Sequence, residues 1–335
     1  MVMGHLYVPE SQPGYWLWAR TIIYMIHMPL FMLLAGFLYG MHEPRLDTMT
    51  HVLAFVKKKA GRLMVPYFVV TCIMITVKYI AALFAPLRHG LDENVLYYAI
   101  LNPMGKLTPN GGFATFLWFI YTLFIIFLLF PILRRVFGAG LIMVFVALGL
   151  SIVPWPKWFC LNLAFQFMPI FAFGFYLTKR NGGVWPGLLP ATLGALGFLT
   201  LAYVGYVPPE NDLAGRIIYI IRGLCGSLFL LHLVDKALGF RGWASRLSEI
   251  LETFGRYSSG IYLMHILAMG PFTIFFYNFL TIGPSQFLFA ASLIWSLGLL
   301  GPIAFERYVI RRRPILARLI LGSAGATLAR NTHLK

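Results

Sequence analysis

Acid is what this chain most lacks. Its 335 residues hold 11 Asp and Glu against 27 Lys and Arg, and the four types together make up only 11%. Soluble globular domains carry roughly a quarter charged residues, so an ordinary soluble domain is excluded. Cysteine is scarce as well. Cys72, Cys160 and Cys225 lie in or beside apolar runs and form no CxxC pair. They imply neither a metal site nor a disulfide framework. The motifs of soluble enzymes are missing: there is no GxGxxG after a strand, no phosphate-binding P-loop, no HExxH and no GxSxG. Gly255-Arg256-Tyr257-Ser258-Ser259-Gly260 has only the outline of a nucleophile elbow, at the start of a helix where none belongs. No internal repeat is visible, which weakens an inverted-repeat transporter reading.

Apolar sequence is what remains: 59% of residues are hydrophobic and the mean hydropathy is +0.78. A run of about 17–25 apolar residues can cross a hydrocarbon core of about 30 Å. Nine such runs stand out, near 17–40, 63–86, 115–133, 139–154, 161–178, 186–206, 216–234, 258–281 and 286–306. The fourth is short. The fold expected is an all-α polytopic transmembrane helix bundle, one integral-membrane domain over 1–335 with no soluble module. Residues 1–16 read as the remnant of a truncated first span with its outer loop, because Met1-Val2-Met3-Gly4-His5-Leu6-Tyr7 is apolar but too short to cross and lacks the features of a signal peptide. Restoring that span would give ten.

The basic residues set the orientation. Arg45, Lys57, Lys58, Lys59 and Arg62, then Arg134 and Arg135, then Lys179 and Arg180, then Lys236, Arg241, Arg246 and Arg256, and finally the tail 307–335, fall on alternate loops. By the positive-inside rule these loops and the C-terminal tail are cytoplasmic. The net charge of +16 is therefore mostly topology. Dispersed over five loops without interleaved aromatics, it does not point to nucleic acid. It suits anionic membrane lipids or a phosphate-rich soluble donor. Trp16, Trp18, Trp155 and Trp158 flank spans as interfacial belt residues do. The stretch 236–257 is amphipathic and is expected to lie along the interface. The outer loop 87–114 serves as connection or acceptor contact.

Polar groups at membrane depth narrow the function. They are His27, Lys78, Arg222, His232, Asp235, His265 and Glu306. A charge there costs at least about 2.5 kcal/mol on insertion scales, so each is a functional candidate beside its plain packing role. His27 suits proton transfer near neutral pH. Ser258, Tyr262 and His265 follow spacings of four and three, so one helix face presents all three, to a cavity or to hydrogen bonds between helices. Arg222 can neutralise a negative group in a cavity, whereas Lys78 reads better as reaching the interface. His232 and Asp235 share a face and can pair; Glu306 suits a capping or interfacial role as well as a catalytic one. Lys59 and Arg62, three apart at the basic inner edge, either anchor topology or grip a pyrophosphate.

Four motifs in order carry a family resemblance: His27-Met28-Pro29-Leu30-Phe31 with Ala35-Gly36-Phe37; Arg62-Leu63-x-Val65-Pro66-Tyr67; Leu117-Trp118-Phe119; and Gly255-x-x-Ser258-x-Gly260-Ile261-Tyr262-Leu263-Met264-His265. With them the chain resembles the acyltransferase-3 membrane family, in particular its branch similar to fucose 4-O-acetylases. The resemblance implies a bacterial inner-membrane enzyme, with no bound cofactor or metal. It would move an acyl group, acetyl above all, from cytoplasmic acyl-CoA to a sugar hydroxyl of a glycan or lipid-linked precursor. Gly4-His5 matches the end of the family's first-span motif and marks His5 as the catalytic base. The Arg that precedes that His in the family falls before this sequence begins. The catalytic set is then His5, His27 and His265, with His27 as a partner that orients the base. Lys59 and Arg62 match the family's paired basic residues, with Lys in place of the first Arg, and Trp118, Arg222, Ser258 and Tyr262 complete the expected substrate contacts. Ala35 stands where many relatives have Ser. Two rival readings are a glycan or lipid transporter with proton-relay histidines, and an inactive truncated relative.

Overall fold

The structure is a computed structural model, and it describes residues 2, 14–84, 95–101, 115–182, 192, 194–199, 213–239, 244–279 and 284–322. Among them there are helices and turns and no strand. In chain order the helices are α1 (Gly14–Met41), α2 (Met49–Ala82), α3 (Val95–Ile100), α4 (Trp118–Phe137), α5 (Leu141–Ile152), α6 (Leu161–Asn181), α7 (Leu213–Gly239), α8 (Ala244–Phe279), α9 (Pro284–Phe305) and α10 (Pro314–Leu321). A five-residue π-helical turn, Glu306–Ile310, continues α9.

Six helices are long and apolar enough to cross a membrane: Gly14–Met41, Met49–Ile80, Trp118–Phe137, Trp158–Arg180, Leu213–Leu238 and Gln286–Ile310. They answer to six of the nine expected runs. The run at 139–154 forms the 12-residue α5, about 18 Å at 1.5 Å per residue and short of the hydrocarbon thickness. Most of 186–206 falls outside the described residues. The run at 258–281 belongs to α8, which begins well upstream at Ala244. Of the amphipathic stretch 236–257, residues 236–239 end α7 and residues 244–257 are the first turns of α8, while 240–243 lie outside the described residues.

The helices group into two compact units, each built from separate chain segments. The larger holds residues 24–59 and 92–247. Its centre is a ring cluster of Tyr39, Phe127, Phe130, Phe171 and Phe175, where Phe130 lies 4.8 Å from Phe171, 5.2 Å from Phe175 and 5.5 Å from Tyr39, edge to face in each case. Such geometry is favourable beyond the area it buries. α1 and α6 approach backbone to backbone. A Cβ at Gly36 would collide with the carbonyl of Phe171, and one at Gly174 with the carbonyl of Leu33. Close approach through small residues is how membrane helices gain contact where lipid gives no hydrophobic drive. One turn on, the Thr178 hydroxyl donates across the crossing to the Phe37 carbonyl at 2.8 Å and packs on Gly40. α7 meets α1 in a similar way, with Gly223 against the Pro29 ring and Gly226 against Ile26. α6 ends on basic Lys179 and Arg180 and on Gly182 at φ +60°, whose N–H bonds the Thr178 carbonyl; glycine tolerates that left-handed turn. Glu43, beyond the end of α1, pairs with Arg134 of α4 at 3.2 Å and Lys179 of α6 at 2.8 Å.

The second unit holds residues 1–23, 60–91 and 248–335. Its core gathers Val2, Trp16, Ile261, Met269, Phe287, Ala291 and Ile294. Trp16 stacks edge-on to Phe287 at 5.5 Å and is 8% exposed. It is a core residue and not the belt residue that its position suggested, because its side of α1 packs on α9. Trp18 and Trp158 are exposed at 70% and 60%, as belt residues are.

Candidate functional site

In the second unit α8 carries the polar stripe, and depth divides it. Ser258 is exposed and donates to the Gly255 carbonyl at 2.8 Å. Tyr262 is half-buried, and His265 is wholly buried. Seven residues are nearly two helical turns, so the three share a face as expected, but that face runs from the surface into the core. His265 Nδ1 donates to the carbonyls of Ile261 at 3.0 Å and Tyr262 at 2.8 Å. Carbonyl oxygens only accept, so this nitrogen carries the hydrogen and a neutral ring keeps its basic lone pair on Nε2. The Tyr262 ring centre is 6.4 Å away.

Glu306, 2% exposed, anchors the other polar group of this unit. Its Oε1 accepts from Arg311 Nε at 2.9 Å and Nη2 at 2.6 Å. Arg311 Nη2 also donates to the Arg256 carbonyl at 3.2 Å, and its guanidinium stands 4.6 Å from the Tyr257 ring centre. In a regular α-helix residues five apart point about 140° from one another. The π-turn, closed by Arg311 N–H to the Glu306 carbonyl at 2.9 Å, swings them onto one side. Glu306 Oε2 is buried with no hydrogen-bond partner among the described residues, and it lies where a Cβ at Gly260 would sit. The glycine in the Gly255–His265 motif is thus the seat of a carboxylate. Neither a cap nor a lone interfacial group describes Glu306. It is half of a buried ion pair tying the π-turn to α8.

Arg62, on α2, is exposed. Its backbone is the seat of Gly322, the residue after α10, which takes φ +72°. A Cβ there would come within 2.8 Å of the Arg62 Cα.

The larger unit holds the other expected residues. His27 is half-buried on α1, its ring edge-on to Tyr24 at 5.1 Å. Lys59 sets its ammonium 3.5 Å from the centre of the Phe127 ring and 5.5 Å from that of Phe55, a cation–π placement. Trp118 stacks on Phe167 of α6 at 5.5 Å, and its neighbour Phe119 meets Phe31 of α1 at 5.9 Å. The Leu117-Trp118-Phe119 motif therefore clamps α4 onto two helices. Arg222 is wholly buried in α7, beside the Gly223–Pro29 contact. Within each unit, then, His265 and Tyr262 come together. His27 meets Tyr24, Lys59 meets Phe127 and Phe55, and Trp118 meets Phe167. His5 lies outside the described residues. Sequence reasoning missed Gly174, Gly223, Glu43 and Arg311. The spacing of Gly36 and Gly40, a small-residue pair four apart in an apolar run, was the signal available for the first of these.

Over residues 1–304 the sequence matches a family model described as an acyltransferase domain. The chain belongs to the acyltransferase-3 family. No curated protein and no solved structure matches it. Within this acyltransferase-3 chain the ordered motifs have a double character. Pro29, Gly36, Phe119 and Gly260 are packing positions, each explained by the group lodged against it. His265 and Arg222 are polar groups held in apolar surroundings. An acyltransferase domain on helices of membrane length makes this a membrane acyltransferase.

Proposed function

We propose that the chain is an O-acyltransferase of the bacterial inner membrane. It carries acetyl from cytoplasmic acyl-CoA to a sugar hydroxyl of a cell-surface glycan or its lipid-linked precursor. The observation that supports this most is the acyltransferase-domain match across 304 residues, on a chain whose basic loops alternate along it. The likeness of its motifs to the fucose 4-O-acetylase-like branch favours acetyl as the group carried and a sugar hydroxyl as its acceptor. In the reaction His5 accepts the proton of the sugar hydroxyl. The hydroxyl oxygen attacks the thioester carbonyl, the C–S bond breaks, and the thiolate of CoA leaves and takes up a proton. General-base help of this kind is worth about 10²–10⁴-fold, and a histidine suits neutral pH. Lys59 and Arg62 supply charge for the donor's phosphates, and His27, His265, Arg222, Trp118, Ser258 and Tyr262 complete the catalytic and acceptor contacts.

The test is transfer of labelled acetyl from acetyl-CoA to a panel of sugar acceptors by the purified chain in detergent or vesicles. Transfer to an acceptor hydroxyl, lost in His5→Ala while membrane insertion is kept, is the expected result. Translocation of a glycan without acetylation overturns the proposal, and appreciable activity in His5→Ala moves the base elsewhere.

A further inference from the structure

After Glu306 the chain contains no Asp or Glu, while arginine occurs at 330 and, among the described residues, at 307, 311, 312, 313 and 318. The structure divides these arginines. Arg311 turns inward to Glu306, whereas Arg307, Arg312, Arg313 and Arg318 are exposed. Between two of them stands Tyr308, 55% exposed, with the guanidinium carbons of Arg307 and Arg312 at 5.5 and 5.8 Å from its ring centre. α10 follows at once. It buries Ala317, Ile320 and Leu321 and turns outward Ile315, 73% exposed, and Leu319, 38% exposed. Four residues apart, these two share a side.

A face that is aliphatic and cationic at once, directly after an apolar span, matches the makeup of an element lying in the headgroup layer. Aliphatic side chains enter the acyl boundary, while long cationic ones reach the phosphates beside it. With no acid on the segment, the field favours lipids that carry net negative charge. We infer that the π-turn and α10 form a docking surface for the headgroups of anionic phospholipids, with Arg312, Arg313 and Arg318 on the phosphates and Ile315 and Leu319 in the chains. The inference stands apart from the acyl-transfer reading, since it needs neither the donor nor the acceptor.

Thermal unfolding of the full chain in detergent, titrated with phosphatidylglycerol or phosphatidylcholine, tests it. Phosphatidylglycerol should raise Tm saturably and at lower concentration than phosphatidylcholine. An Arg312→Gln, Arg313→Gln, Arg318→Gln variant should need roughly tenfold or more phosphatidylglycerol for the same rise. Equal response to the two lipids, or a variant that titrates like the parent, overturns the inference. Free CoA that displaces the phosphatidylglycerol effect overturns it too, assigning the arginines to a soluble phosphate. Should the variant not fold, ionic strength decides on the parent chain. A phosphatidylglycerol midpoint that rises with salt supports the surface, and a salt-independent one overturns it.

Discussion

Glu306 and Arg311 show what a buried charge asks of its surroundings. Removing one partner leaves the other uncompensated, typically at a few kcal/mol, whereas replacing both is far milder. Arg311→Ala is expected to lower stability by about 3 kcal/mol, and Glu306→Gln with Arg311→Met by clearly less; thermal unfolding in detergent measures both. Lys59 and Arg62 allow a second comparison. Lys59 has a competing partner in the Phe127 ring, while Arg62 is exposed. Losing a charge-assisted bond costs about 1.5–3 kcal/mol, so Arg62→Gln should raise the KM for acyl-CoA roughly tenfold or more and Lys59→Gln by less. An unchanged KM in both would leave them as topology anchors. Candidate polar residues were legible from their apolar neighbours, but depth was not: His265, Arg222 and Glu306 are buried, whereas His27 is half-buried and Asp235 exposed. Arg311 was not legible as the partner of Glu306, because a spacing of five suits neither helix nor strand until a π-turn is known to be there.

Among the elements, α1 and α6 are joined where side chains are absent. Gly36→Ala or Gly174→Ala forces a methyl into a carbonyl of the facing helix and should destabilise by about 1–3 kcal/mol. Gly61 has nothing within 4 Å of its added Cβ, so Gly61→Ala should be neutral or stabilise by up to about 1 kcal/mol. Equal melting temperatures for all three variants would refute the close crossing. Thr178→Val, which loses the hydroxyl bond to Phe37, should cost about 1 kcal/mol in the same assay. Span positions were legible because unbroken apolar runs have one ready explanation. The start of α8 was not. Charged residues between 245 and 256 suit an exposed helix extending beyond a bilayer as well as a helix lying on it, and both have the same periodicity. Trp16 misled for a related reason: aromatic residues near span ends occupy belts and cores alike.

At the scale of the whole molecule the alternating basic loops make a claim that reporters can check. A fluorescent protein fused after Lys335 should fold and fluoresce on the cytoplasmic side, and alkaline phosphatase inserted near 110 should be active outside. The reverse pattern would invert the topology and with it the donor side of the proposed reaction. The family was legible because four motifs occur in order. How each motif works was not, since Pro29, Gly36, Phe119 and Gly260 are fixed by groups distant in the chain. The π-turn at Glu306–Ile310 has one more consequence at this scale. It accommodates one extra residue: one fewer there would convert the five-residue closure into the four-residue closure of an α-helix, with the helix phase after it kept. Arg311 would then stand four residues after Glu306, about 40° around a regular helix, and the ion pair would be kept. Deleting one residue among 307–310 should therefore lower Tm less than Arg311→Ala, which leaves the Glu306 carboxylate buried without its partner.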